Sequence, residues 1–183
     1  MTANVLVPIA DGTEEIEAVT IIDVLRRAEA EVTVASVNDL QITASRGVKI
    51  TADCLIDACK DRAFDLIVLP GGIPGAEHLR DNAILKALLQ KQSAAGRLFG
   101  AICAAPAVVL ETHGLLEQRQ ATCHPAFEEK LHDRSAVESR VVVDGNCVTS
   151  RGPGTAMAFA LKLVELLYGR EKMEAVAAPM VLA

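Results

Sequence analysis

Phe64-Asp65-Leu66-Ile67-Val68-Leu69-Pro70-Gly71-Gly72 is the stretch that decides the fold. Uninterrupted large aliphatics from Leu66 to Leu69, stopped by proline and paired glycines, read as a strand buried on both faces that ends in a tight turn. Such a strand needs a covering layer on each side. Outward from it, Asn4–Ile9 and Val32–Val37 supply two earlier strands and Leu98–Ile102 a later one. A helix from Glu14 to about Ala28 follows the Asp11-Gly12 turn, with Thr13 as its expected cap. Gln41–Thr51 predicts a pair of short strands bent near Ser45-Arg46-Gly47, and a helical region covers Gly75 to Ala95. Beyond Ala104, where another helix starts, Gln120–Cys123 reads as a short strand. Val141–Val143 and Cys147–Thr149 read as a hairpin around Asp144-Gly145. A helix opened by Gly152-Pro153-Gly154-Thr155 runs to about Tyr168, and a last one follows from Arg170. Strands alternating with helices, without linkers or repeats, predict one α/β domain over residues 1–183. It is doubly wound, with a mostly parallel sheet and helices on both faces.

Bulk properties narrow the function. Hydrophobic residues make up 51% of the chain, Trp is absent, and the formal charge of −6 argues against an extensive nucleic-acid surface. The cysteines at 54, 59, 103, 123 and 147 form no C-x-x-C, and no His/Cys cluster has zinc spacing. No metal and no cofactor is therefore expected. The opening Met-Thr-Ala-Asn lacks a charged n-region, Val5–Ala10 is too short for a signal core, and no run is long enough to span a bilayer. These features predict free thiols in a reducing, cytoplasmic setting, with Cys54, Cys59 and Cys147 as packing residues.

In doubly wound sheets, ligands sit beyond the carboxyl ends of the strands. Three strand-to-helix turns lie there. In Gly100-Ala101-Ile102-Cys103-Ala104-Ala105-Pro106 the strand meets the helix with no room for a relaxed loop. A residue at such a nucleophile elbow is lifted out of the sheet, its small neighbours make room, and the helix N-terminus favours a thiolate. The alternative is a buried cysteine that merely precedes a helix. Gly71 and Gly72 let backbone N–H groups approach a ligand, as an oxyanion site or as a turn that simply needs glycine. The third turn, Thr149 to Thr155, offers a pocket wall, or only a cap at Thr155 and a surface pair at Arg151. A thiol nucleophile needs a proton partner. His124, at a strand end before Pro125, is the best placed of the four histidines. Glu14 and Glu15 suit the helix dipole, whereas Glu17 shares a face with Ile21, Val24 and Ala28 and should turn inward. The apolar stripe is broad, so spacing alone does not separate Glu17 from Glu14. A buried carboxyl prefers its protonated form and can then donate to a thiolate.

Glu14-Glu15-Ile16-Glu17-Ala18-Val19, Leu69-Pro70-Gly71-Gly72, Ala101-Ile102-Cys103-Ala104-Ala105-Pro106, His124-Pro125 and Thr149 to Thr155 occur in that order. Together they closely resemble the ThiJ/PfpI superfamily, in its parkinsonism-associated deglycase and YajL-like branch, from the first strand to the closing Ala-Pro-Met-Val-Leu. The resemblance implies a flavodoxin-like fold and a homodimer. It implies Cys103 as a nucleophile prone to sulfinic acid formation, Glu17 as its protonated carboxyl partner and His124 as the nearby imidazole. Gly71, Gly72 and Ala104 would donate to the reacting oxygen, and Arg27 and Arg46 would lie at the dimer contact. Ile73 stands where some relatives have a polar residue. The implied substrates are small reactive carbonyls or glycated protein or nucleotide.

These residues suit two readings. One is a cofactor-independent enzyme acting on dicarbonyls or their early adducts. The other is a redox-responsive, chaperone-like protein in which Cys103 is oxidised. Glutamine amidotransferases on this fold use a late His-x-Glu pair, which none of the histidines forms, and peptidase relatives place histidine directly after the elbow cysteine, where this chain has Ala104. Both chemistries are therefore disfavoured.

Overall fold

The computed structural model describes residues 2–182. Its strands are β1 (Asn4–Ile9), β2 (Glu31–Ser36), β3 (Gln41–Thr43), β4 (Lys49–Thr51), β5 (Cys54–Leu55), β6 (Leu66–Leu69), β7 (Leu98–Ile102), β8 (Val141–Asp144) and β9 (Cys147–Ser150). The helices are α1 (Glu15–Arg27), α2 (Gly75–Asp81), α3 (Ala83–Ala94), α4 (Ala156–Tyr168) and α5 (Arg170–Ala177). The main sheet has the order β5-β2-β1-β6-β7-β9-β8, parallel except for β8, while β3 and β4 form a separate hairpin. The order reverses at β1, which has β2 on one side and β6 on the other. That switch point opens a crevice beyond the carboxyl ends of β1 and β6.

Side-chain alternation assigns the layers. Val5, Val7, Ile9, Leu66 and Val68 pack with Ile21, Val24 and Leu25 of α1, Phe159 and Leu163 of α4 and Val176 of α5. On the opposite face, Leu6, Ile67, Leu69 and Phe99 pack with Leu79 of α2 and Leu85, Leu88 and Leu89 of α3. The central strands are thus sealed on both sides, as their continuous apolar sequence requires. Full burial of each such side chain is worth about 1.5–3 kcal/mol relative to exposure, so the helices are held mainly by these faces.

Several local expectations are corrected. The Gly75–Ala95 helical region is two helices, because Asn82 leaves helical geometry and its side chain caps α3 by accepting from the Leu85 N–H at 2.9 Å. Glu14, not Thr13, caps α1; the Thr13 hydroxyl instead accepts from the Ala10 N–H. Gln120–Cys123 is not a strand. Its N–H groups at Gln120 and Thr122 are taken by the side chains of Asp144 and Thr149, at 2.8 and 2.9 Å, rather than by a ladder. The helix after Cys103 is a short π-helical segment over Pro106–Glu111.

Replacing Asn82 by Ala removes the α3 cap and is expected to cost about 1 kcal/mol. In a chain of this size that is a fall of about 2–4 °C in Tm. Asn82→Asp, which can still accept, is expected to stay near wild type in the same thermal melt.

Candidate active site

Cys103 follows β7 directly and has a φ of +65°, a left-handed conformation that a residue with a Cβ adopts at a cost of about 1–3 kcal/mol. Both of its backbone polar groups are fixed. Its N–H donates to the Ser150 carbonyl at 3.0 Å, and its carbonyl accepts from the His124 N–H at 2.8 Å. The strain persists because β9 and the His124 segment clamp the residue from two sides. Buried Ala101, Ala104 and Ala105 leave room for this geometry. The elbow expected from spacing is therefore present.

Glu17 is completely buried on the inner face of α1. Its Oε2 accepts from the Gly71 N–H at 2.8 Å, while the buried Oε1 has no hydrogen-bond partner. The Cys103 thiol is the side-chain neighbour that favours the ionised form of this carboxyl. Burial pushes Glu17 up to about 7, against the Gly71 N–H and the thiol, which lower it. Burial pushes Cys103 up to about 12, reinforced by the negative charge of an ionised Glu17 and opposed by the N–H groups of Gly72 and Ala104. The pair thus shares one negative charge: an ionised Glu17 opposes the thiolate, and a protonated Glu17 donates to it.

The glycine turn is packed backbone against backbone. A Cβ on Gly71 would stand 2.5 Å from Cys103 Cβ and 2.9 Å from Glu17 Oε2. Gly72 has a φ of +93°, and a Cβ there would meet the Glu14 N at 2.5 Å. The Gly71 N–H is occupied by Glu17, which corrects its expected part as a donor to the reacting oxygen; its carbonyl meanwhile accepts from the Glu14 N–H at 2.9 Å. The N–H groups of Gly72 and Ala104 are the backbone donors that favour a Cys103 thiolate.

A cavity of about 280 Å³ opens over this point, lined among others by Cys103, His124, Arg46, Ile73, Phe127 and Pro153. The His124 Nδ1 accepts from the Ala126 N–H at 3.2 Å, which leaves Nε2 as the protonated nitrogen of the neutral ring. The ring makes no hydrogen bond to Cys103 or Glu17, so it joins them only as a wall of the shared cavity. Pro153 brings the third turn to the same wall, while Arg151 pairs with Glu128 at 3.1 Å and the Thr155 hydroxyl accepts from the Gly152 N–H at 3.1 Å.

Sequence reasoning missed two contributors. Glu14 lines the cavity and accepts from the Glu17 N–H at 2.8 Å, so the cap itself positions the buried carboxyl. Glu15 accepts from the Ser45 hydroxyl and the Arg46 N–H, each at 2.8 Å, and so pins the β3–β4 bend against α1. Burial pushes Glu15 up, but hydrogen bonds from its own N–H, Ser45, Arg46 and Val48 together hold it below its usual range. The Glu-Glu-x-Glu spacing was the available signal, and only tertiary contacts distinguish the three roles. Arg46 reaches the cavity rim, whereas Arg27, at the far end of α1, is paired with Asp23 at 2.6 Å. Among the described residues no group of three or more His, Cys, Asp or Glu side chains is arranged to hold a metal ion, and no helix is long and apolar enough to cross a membrane.

Residues 3–166 match the DJ-1/PfpI family. The chain is 55% identical over 172 residues to Protein DJ-1 homolog B of Arabidopsis thaliana, covering 93% of this chain and 39% of that protein. It spans less than half the length of the Arabidopsis relatives it matches. Glutathione-independent glyoxalase DJR-1.2 of Caenorhabditis elegans is 38% identical, with coverage of 100% of this chain and 97% of the relative. The solved structure of oxidised Toxoplasma gondii DJ-1 superposes with a TM-score of 0.97 at 50% identity, each chain covered in full. A family match over most of the chain, full-length relatives and the same flavodoxin-like sheet lead to one assignment: the chain belongs to the DJ-1/PfpI family.

Proposed function

We propose that the chain is a cysteine enzyme that converts reactive dicarbonyls such as methylglyoxal, or their early adducts with amines and thiols, to hydroxy acids. The observation that carries this reading is the Cys103–Glu17 pair: a strained, cavity-facing thiol against a buried carboxyl that titrates near 7. A general acid–base group serves best when its pKa lies near the working pH, because both forms are then populated. The relative named as a glutathione-independent glyoxalase supports the same chemistry.

In this mechanism the Cys103 thiolate adds to the aldehyde carbon and the oxygen takes up a proton, giving a hemithioacetal. The N–H groups of Gly72 and Ala104 face the developing oxyanion. Glu17 then removes the proton from the former aldehyde carbon and returns one to the adjacent carbonyl carbon. The two carbons exchange oxidation levels, and the product is a 2-hydroxy thioester. Water cleaves it to lactate and regenerates the thiol, with His124 orienting the substrate oxygen or the water. No external oxidant or reductant enters. Exposed Ile16, Val19 and Val48 leave an apolar face on α1 and the β3–β4 hairpin beside Arg46, which supports self-association there.

Cys103→Ser is expected to abolish lactate formation, and Glu17→Gln to lower kcat by about 10²–10⁴, with buffer-only and metal-chelated controls to subtract spontaneous adduct reversal. Unchanged turnover in Cys103→Ser would overturn the reading. The pH profile has a defined sign. Below about 7 the pair is neutral and holds no thiolate; above it, one shared charge is present. Thus kcat/KM should rise about tenfold per pH unit on the acid side and level off above neutrality. In Glu17→Gln that limb should move to higher pH, towards the thiol's own ionisation.

The same donors favour a second reading in which Cys103 is an oxidation sensor. A sulfinate at Cys103 would receive the N–H groups of Gly72 and Ala104 and a proton from Glu17. Peptide mass spectrometry after mild peroxide is expected to find two added oxygens on Cys103, and fewer in Glu17→Gln. Equal accumulation in both proteins would count against it.

A further inference from the structure

We propose that Cys54 and Cys59 form a second redox site, independent of Cys103, in which a hydroperoxide closes the two thiols into a reversible disulfide at the edge of the sheet. All five cysteines are free thiols, and the Cys54 and Cys59 sulfurs lie 3.9 Å apart. A disulfide needs about 2.05 Å, so the sulfurs must approach by about 1.9 Å, within reach of side-chain rotation and a small backbone shift. The local structure permits that shift. Cys54 lies in β5, a two-residue edge strand paired on one side only, with Ala35 and Ser36 of β2. Cys59 closes a single 3₁₀ turn over Ile56–Cys59.

The two thiols differ in a useful way. Cys54 is partly exposed and meets the oxidant, while Cys59 is buried. Burial, together with the charge and hydrogen bond of Cys54, pushes Cys59 up to about 11, so it stays protonated and can donate to a Cys54 thiolate. The Arg62 guanidinium lies at Cys59, opposing that rise. It is held there by the Thr33 hydroxyl at 3.2 Å and by the Phe64 ring, whose centroid is 5.0 Å from the guanidinium carbon. A fixed cation next to a thiol pair stabilises negative charge as it develops on sulfur.

The chemistry balances. The Cys54 thiolate attacks the peroxide oxygen, the O–O bond breaks, and Cys54 becomes a sulfenic acid while hydroxide or alkoxide departs. The Cys59 sulfur then attacks the Cys54 sulfur. The S–S bond forms, the S–OH bond breaks, and the hydroxide leaves as water with the Cys59 proton. The dithiol loses two electrons and the hydroperoxide gains them. Among the described residues Cys54–Cys59 is the thiol pair in sulfur–sulfur contact, so oxidation of Cys103 would instead proceed along the oxyacid ladder.

Tryptic cleavage after Lys49 and Lys60 releases Ile50–Lys60, which contains both cysteines. The folded protein is treated with limiting hydrogen peroxide, alkylated under denaturing conditions and digested. The expected result is an unalkylated Ile50–Lys60 peptide lighter by a pair of hydrogen atoms, restored to the doubly alkylated form by dithiothreitol. Cys103→Ser should form it at the same peroxide dose. Cys59→Ser should leave a sulfenic acid at Cys54 that a cyclic 1,3-dione traps, and Cys54→Ser should make Cys59 at least about tenfold less sensitive to peroxide. Recovery of the doubly alkylated peptide at doses that oxidise Cys103 would overturn the proposal. So would sulfinate at Cys54 with Cys59 intact, or a bond from either cysteine to a second molecule.

Discussion

The hydrogen bond from the Gly71 N–H to Glu17 Oε2 is the contact on which the site depends. Glu17 belongs to the helix after β1 and Gly71 to the turn after β6, so the bond crosses the switch point of the sheet. A buried carboxyl with one oxygen committed to a backbone donor has little freedom to rotate, and the group is held next to Cys103. Leaving that donor unpaired in the interior would cost about 1–3 kcal/mol. The same bond therefore contributes to stability, fixes the helix against the sheet and aims the proton-carrying group.

Strain and burial act together at this point. The left-handed backbone at Cys103 presents its sulfur to the cavity, and the clamps from Ser150 and His124 prevent relaxation. Burial, which would silence an isolated thiol by raising its pKa, here raises the carboxyl as well. The neutral carboxyl then becomes a donor rather than a competing charge. On the proposed function, chemistry near neutrality follows from the shared charge of the pair and from neither residue alone.

Much of this was legible in the sequence, for physical reasons. Leu66–Leu69 announces a doubly covered strand because no polar side chain interrupts it, and Cys103 announces an elbow because small residues surround an abrupt strand-to-helix junction. Other features depend on contacts between distant segments. Glu14, Glu15 and Glu17 occupy one turn, and only the positions of Gly71, Ser45 and Cys103 make them a cap, a clamp and an acid. Asn82 interrupts a sequence that otherwise reads as one helix, because its side chain caps the second segment. Gln120–Cys123 has strand-like composition, but side chains of Asp144 and Thr149 take its amides. Cys54 and Cys59 read as packing residues and do pack in the core, but spacing cannot show that the 3₁₀ turn also brings their sulfurs to 3.9 Å.

The meshing of the Gly12–Glu14 and Gly71–Gly75 turns has a consequence for how such a site diversifies. Added Cβ atoms at Gly12 or Gly75 would meet backbone or proline ring atoms of the opposite turn at 2.5 Å, as one at Gly72 would meet the Glu14 N. The two turns thus meet main chain against main chain beside the cavity, closed to side-chain additions at these glycines. Ile73, Arg46, Phe127 and Pro153 line the same cavity with their side chains. Side-chain replacement at these positions changes the shape and polarity of the cavity, whereas the glycine turns next to Cys103 accept no added side chain without a backbone shift.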